Sequence, residues 1–350
     1  MATTMYSMQL MNAAESWRAI RTIRAEPRGL LAGTLRRDAE RRREFHMALE
    51  QAQQQFAAAE KIGYESRPLN LFYGLSQAGR ALAAGSPLLG RGTARPWRAT
   101  GHGLKYDVTV PTGVLATPIR QDQGARDLFS LVSLAISSPL DFGAIEFGAA
   151  INQLVDYTMV FREPEGYPRP IFDAHVYASS NEFPLELEVA VPDLPNGNET
   201  TPNEVREVFH AYPPLRGLTV VEDGSGAVRW SHNKGRCFVV IDSDDSLVRR
   251  GGPHGMRELR GYTNYRRSAV LMPSAGESDE SLRPLTAWWV ALYALSMLAR
   301  YAPSKWTQAL SLSDSQIASR IEFLLDAAVE AVPELFWAEL SLLQASEDGQ

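Results

Sequence analysis

Apolar positions recur at helical spacing near both ends of the chain and alternate in its middle, and this contrast predicts the architecture. Leu10, Ala13, Trp17 and Ile20 fall three or four residues apart, so residues 7–25 read as an amphipathic helix that Pro27 and Gly29 end. A longer helix is predicted over 34–63, where Phe45, Leu49, Ala52, Phe56 and Ala59 form a narrow seam opposite a face holding Arg36, Arg37, Arg41, Arg42 and Arg43. Residues 66–82 read as a third helix, with Ser66 as its cap and Pro68 in the first turn, where a missing N–H does no harm. This helix is apolar nearly all round and is expected at the centre, with Gly74, Ala78 and Gly79 admitting a close neighbour. Asn70, Tyr73 and Arg80 are then polar groups with little solvent face, and buried polar groups need partners.

From Gly85 to Thr100 glycine, proline and arginine dominate. Residues 104–110 and 114–119 look like short paired strands, 127–136 fits helix or strand, and 142–157 reads as helix. Alternation predicts strands at 171–177, 185–191, 218–221, 227–231 and 236–241, with a turn at Asp223-Gly224-Ser225-Gly226 and a short helix carrying Val205, Val208 and Phe209. Further strands are expected near 256–262 and 266–272. The end is helical again over 284–301, 303–310, 314–331 and 333–344, with Pro303 and Pro333 in first turns. The fold class expected is α+β, with N- and C-terminal helices packed together against a central, mostly antiparallel sheet. The regions are 1–100 (helical), 101–275 (strand-rich) and 276–350 (helical, packing with the first).

An apolar share of 45% with 22% charged residues in 350 is enough for a sizeable core. The net charge of −6 argues against a whole-molecule grip on nucleic acid or anionic lipid and leaves only local patches. The one cysteine, Cys237, excludes an internal disulfide and a cysteine-rich zinc site, and reads as a small core residue of a strand. Residues 1–16 lack the basic start and apolar run of a signal peptide, and the most apolar stretch, 285–299, falls short of the roughly 20 residues that span a bilayer. A cytoplasmic protein without a membrane partner is expected. Only four of the 35 basic residues are lysines, but codon bias toward arginine explains this as well as anion recognition does.

No P-loop, dinucleotide fingerprint, nucleophile elbow or His-Glu-x-x-His run is present. The acidic run Asp242-Ser243-Asp244-Asp245 lacks the glycine and glutamate of a calcium loop and reads as a solvated turn. Residues 251–255, after Arg249 and Arg250, could cradle an anion with backbone N–H groups or simply form a surface loop. HEPN ribonucleases place a histidine after an arginine on a helix with about four to six residues between them, the imidazole moving a proton while the guanidinium holds phosphate. Arg41 and His46 match, but so do Arg95/His102, Arg169/His175 and Arg249/His254, as chance allows in an arginine-rich chain. His102, between Gly101 and Gly103 just before a strand, is the more accessible imidazole, although a turn histidine bonded to a backbone carbonyl would look the same. Arg300 ends a helix, where the macrodipole favours a cation whatever its function.

Three blocks carry a resemblance: Leu69-Asn70-Leu71-Phe72-Tyr73-Gly74-Leu75-Ser76-Gln77-Ala78-Gly79-Arg80-Ala81, then Gly101-His102-Gly103-Leu104, then Leu295-Ser296-Met297-Leu298-Ala299-Arg300-Tyr301 with Pro303 and Trp306. In this order they resemble the YaaC-like proteins of bacteria. The resemblance implies continuity of fold and a set of positions but no reaction, and it does not reach Arg41 or His46. The set expected is Asn70, Tyr73 and Arg80 facing Arg300 and Tyr301 as ligand-binding residues, with His102, His46 and Arg41 as catalytic candidates and no metal. The function expected is binding or processing of a nucleotide or RNA phosphate, in a setting such as stress or phage defence. The alternative is a non-catalytic scaffold that oligomerises or docks a protein partner through the helix 34–63. The sequence names no cofactor.

Overall fold

The computed structural model describes residues 12–344 apart from 91–95, 110–112, 123–125, 140, 162–166, 173–174, 177–184, 195–198, 233–234, 242–247, 251–256, 260–261 and 267. The predicted acidic turn 242–245 and the glycine loop with His254 fall outside the described residues.

Helix α1 (Ala13–Ala25) opens on a capping box in which Asn12 and Glu15 satisfy each other's backbone N–H. The helix expected over 34–63 is two helices, α2 (Gly29–Arg37) and α3 (Ala39–Lys61). Asp38 leaves helical geometry between them and accepts from the N–H groups of Glu40 and Arg41 at 2.8 and 3.1 Å, so the local cap overrides the continuous pattern. Helix α4 (Arg67–Gly85) has Pro68 in its first turn, while Ser66 stands at the cap without a capping hydrogen bond. Strands β1 (Leu104–Tyr106), β2 (Pro118–Gln121) and β3 (Ala144–Glu146) pair antiparallel in that order. Residues 114–116 are a 3-10 turn rather than part of a strand. Helix α5 (Leu128–Ala135) resolves the ambiguous segment because Asp127 caps it, and 142–157 divides into β3, α6 (Phe147–Ile151) and α7 (Val155–Val160).

Next come β4 (Ile171–Phe172), β5 (His175–Val176), β6 (Leu185–Ala190), α8 (Pro202–His210), β7 (Thr219–Val220) and β8 (Arg236–Ile241). They are followed by β9 (Val248–Arg250), β10 (Arg257–Leu259), β11 (Tyr262–Tyr265) and β12 (Ser268–Leu271). The chain closes with α9 (Pro284–Tyr301), α10 (Pro303–Ala309) and α11 (Ala318–Leu342). Pro333, expected to start a helix, lies buried inside α11, which carries the missing hydrogen bond and continues.

The chain divides into two compact units, one built from the segments up to Glu163 and from Arg283 onward, the other running Pro164–Leu282. The fold is α+β with antiparallel pairing, but the described strands form four three-stranded sheets, not one. In the second unit the sheet ordered β6-β8-β7 sets Leu187 opposite Val239 and Val189 opposite Cys237. These residues are buried with Val205 and Phe209 of α8. Burial holds the Cys237 thiol up at about 12, which makes it a core residue and not a nucleophile.

In the first unit α4 lies against α3, α5, α9 and α11. A Cβ on Gly74 would stand 2.7 Å from the Phe56 ring, and one on Gly79 2.4 Å from Trp289, so both glycines exist for close packing. Front and rear of the chain share this interior. Trp17 of α1 packs at a tilt against Phe336 of α11, ring centroids 6.4 Å apart, and the Ala13 N–H donates to the Glu330 carboxylate at 3.2 Å. The seam of α3 is part of the same core, with Phe45, Leu49 and Phe56 only 0, 2 and 3% exposed. It is therefore not a free docking face, because the chain's own helices cover it. Among the described residues no helix is long and apolar enough to cross a membrane.

Candidate functional site

Three segments distant in sequence meet at one end of α4. Its first two turns contribute Leu69, Phe72 and Tyr73, the loop before β1 contributes His102, and the C-terminal half of α9 contributes Tyr293, Ser296, Met297, Arg300 and Tyr301. Together they line a cleft of ≈110 Å³. Of the expected set, Tyr73, His102, Arg300 and Tyr301 are brought together here.

Each side chain is positioned by its element. On α9, Tyr293, Ser296 or Met297, and Arg300 follow three- and four-residue steps and so share a face. The helix stops one residue past Arg300 because Pro303 begins α10, and Trp306 fixes that corner by donating its Nε1–H to the Glu65 carbonyl at 2.9 Å. Arg300 donates to the Tyr73 hydroxyl at 3.1 Å across the cleft. Its guanidinium also lies over the Tyr301 ring, 4.9 Å from the centroid. A guanidinium has five N–H donors, and among the described residues Arg300 pairs with no carboxylate, so donors remain for an anion. Tyr293 is different: its hydroxyl donates to the Leu104 carbonyl, and burial pushes its pKa up to about 12. It anchors β1 to α9.

The loop carrying His102 is pinned to the start of α5. Leu128 N–H donates to the Gly101 carbonyl at 3.0 Å, Phe129 N–H to the His102 carbonyl at 3.2 Å, and Asp122 N–H to the Gly103 carbonyl at 2.9 Å. Gly103 has φ +88°, and a Cβ there would stand 1.8 Å from Asp127 Oδ1, so no other residue fits. The His102 ring rests on Phe72 with centroids 5.7 Å apart, partly covered there and partly open to solvent. Burial lowers its pKa first, followed by the positive charges of Arg80 and Arg300. The imidazole is thus held neutral near pH 7, the state that can accept a proton.

The other expected residues lie elsewhere. Asn70 donates to Gln55 Oε1 at 3.0 Å between α4 and α3. Arg80, two turns along α4 from Tyr73, lines a separate cavity of ≈140 Å³ with Glu44, Trp97, Arg98, Ala99 and Leu128. Arg41 is 7% exposed, and its guanidinium donates to the carbonyls of Ala83, Ala84, Ser86 and Leu89. It closes the C-terminus of α4, which explains its presence without catalysis. His46 faces Arg24 and Arg42, which lower its pKa after burial does. Arg41 and His46, five residues apart on one helix, point to different neighbours and form no pair. Among the described residues no three His, Cys, Asp or Glu side chains gather as metal ligands.

Sequence reasoning missed Phe72, Tyr293, Ser296 and Met297. The signal was present: Tyr293 and Ser296 precede Arg300 by seven and four residues, so naming Arg300 named a face. The family model described as YaaC-like Protein matches residues 32–340. No curated protein and no solved structure matches the chain.

Proposed function

The chain belongs to the YaaC-like family, and from that premise, with the cleft at its centre, we propose that it binds a nucleotide or an RNA phosphate between α4 and α9. One observation carries the reading: Tyr73, His102, Arg300 and Tyr301, spread over three segments, line one cleft with guanidinium donors left open. Arg300 supplies the charge-assisted hydrogen bonds that suit a phosphoryl group. Tyr73 and Tyr301, 40 and 54% exposed, offer ring faces on which a base can stack. His102, neutral and accessible, is the group to accept a proton from a ligand hydroxyl in a processing reaction. The alternative, docking of a protein through the seam of α3, would require opening a packed core and is the weaker reading.

The test is thermal denaturation of the full chain with nucleoside monophosphates and a short oligoribonucleotide. A ligand at 100 times its Kd adds about 2.7 kcal/mol of stability, which is a clear rise in Tm. Arg300→Gln is expected to remove that rise. His102→Ala should keep binding while abolishing any turnover. No rise with any nucleotide or RNA at millimolar concentration would overturn the reading.

A further inference from the structure

The cleft at Arg300 is small for a complete ligand, since sites for drug-sized molecules hold about 300–1,000 Å³. At ≈110 Å³ it takes one part of a nucleotide, and the rest must lie outside it. The second cavity, ≈140 Å³, is where the same face of α4 leads. Tyr73 and Arg80 are seven residues apart, two helical turns on one side, about 10 Å along the axis. The loop of His102 runs beside both cavities: its imidazole lines the first, while Ala99, three residues earlier, lines the second. Arg80 and Arg300 both act on that imidazole, one from each cavity.

The second cavity also repeats the chemistry of the first. Each combines aromatic and guanidinium side chains: Tyr73 and Tyr301 with Arg300 in the first, Trp97 with Arg80 and Arg98 in the second. Trp97 is held in place by the Arg41 guanidinium, 5.8 Å from its ring centroid. The exposed Arg98 lies 4.8 Å from that ring and is shared with Glu40 at 3.1 Å. Glu44 adds a carboxylate, which repels a phosphate but accepts hydrogen bonds from the amino and ring N–H groups of a base. A base-bearing group therefore suits this cavity better than a second phosphate.

Building on the reading of the first cleft, we propose that the two cavities are halves of one site for a dinucleotide unit, free or within an RNA strand. Its bridging phosphate lies at His102 between Arg300 and Arg80, one base sits at Tyr73 and Tyr301, and the other sits at Trp97 with its N–H groups on Glu44. The ligand class is a phosphodiester flanked by two nucleosides.

Calorimetric titration of the full chain tests this with the dinucleoside monophosphates ApA and GpG, the mononucleotides AMP and GMP, and a six-residue oligoribonucleotide. At least one dinucleotide should bind about tenfold tighter than its mononucleotide, the gain of one further stacked base. Arg98→Gln and Trp97→Ala should each reduce dinucleotide affinity far more than mononucleotide affinity, whereas Arg300→Gln and Arg80→Gln, both on the phosphate, reduce both. Arg98→Gln keeps the test valid should Trp97→Ala fail to fold. Tighter binding of the oligomer than of the dinucleotide identifies a strand as the source, and equal binding identifies a free dinucleotide; either supports the proposal. Mononucleotides binding as tightly as dinucleotides, with Arg98→Gln silent, would overturn the second half and leave the first cleft standing. Absence of binding by every probe would remove both.

Discussion

Two helix C-termini in the same unit treat arginine in opposite ways. At the end of α4, the Arg41 guanidinium from α3 is buried and surrounded by the carbonyls of Ala83, Ala84, Ser86 and Leu89. At the end of α9, Arg300 reaches over Tyr301 to Tyr73 and keeps donors open to the cleft. Both places favour a cation through the partial negative charge of the helix end. Only the first uses up the fork. An arginine is legible as structural or available by how many of its N–H groups the fold has already claimed, not by its neighbours in sequence.

The largest expected effect breaks this comparison at its structural side. Arg41→Ala strands buried carbonyls and removes a desolvated charge, for a loss of about 3–5 kcal/mol. In a unit of this size that lowers Tm by about 6–12 °C, whereas Arg300→Gln should move Tm by less than about 2 °C. Equal shifts from the two variants would erase the distinction. A smaller effect concerns the loop that presents His102. Gly103→Ala places a Cβ against the Asp127 carboxylate at positive φ, and about 1–3 kcal/mol is expected. Asp127→Ala in the same background should recover part of that loss in denaturant unfolding, since it removes the clashing group; further destabilisation by the full worth of the α5 cap would argue that no clash exists.

The smallest effect is electrostatic. The groups around the His102 imidazole are Arg80 and Tyr73 on α4 and Arg300 and Tyr301 on α9, and the two cations lower its pKa after burial does. Its folded value lies below the unfolded value of about 6.5, so the unfolded chain takes up the proton first as pH falls through that point. The contribution to stability is absent above about pH 6.5 and becomes unfavourable below it. A histidine NMR titration should place His102 below about 6.5. Arg80→Gln and Arg300→Gln should each move it upward, and a resonance unmoved by both would detach it from the two cations.

Much of the first unit was legible because its helices carry long periodic patterns. The residues 66–82 gave α4 almost whole, and polar residues on that apolar surface pointed to Tyr73. Arg300 and Tyr301 followed from the block that resembles the family. Other features were hidden for physical reasons. Strands of two to four residues, such as β4, β5 and β7, are too short to show alternation, so one sheet was expected where the described strands form four. Asp38 breaks a pattern whose apolar seam continues on both sides, and Pro333 sits inside a helix that packing sustains. Arg41 could not be told from its charged neighbours, since its partners are backbone carbonyls more than forty residues away and leave no mark in side-chain chemistry. Trp97, Arg98 and Glu44 lie in segments whose local patterns say nothing of a shared cavity.

The helical unit is discontinuous, and that has a consequence during synthesis. The partner of Ala13 is Glu330, 317 residues downstream, and at about 5–20 residues per second a ribosome needs roughly 15–60 s to cover that distance. For most of that interval α4, complete at Gly85, waits for α9, which starts only at Pro284, and for α11, which starts at Ala318, and its bare surface is the kind that chaperones bind. The segment between the halves, Pro164–Leu282, has its own apolar centre and is complete well before the last helix emerges. The nascent chain should thus mature from the middle outward, with the His102 loop meeting Arg300 only after the whole of that segment has been made.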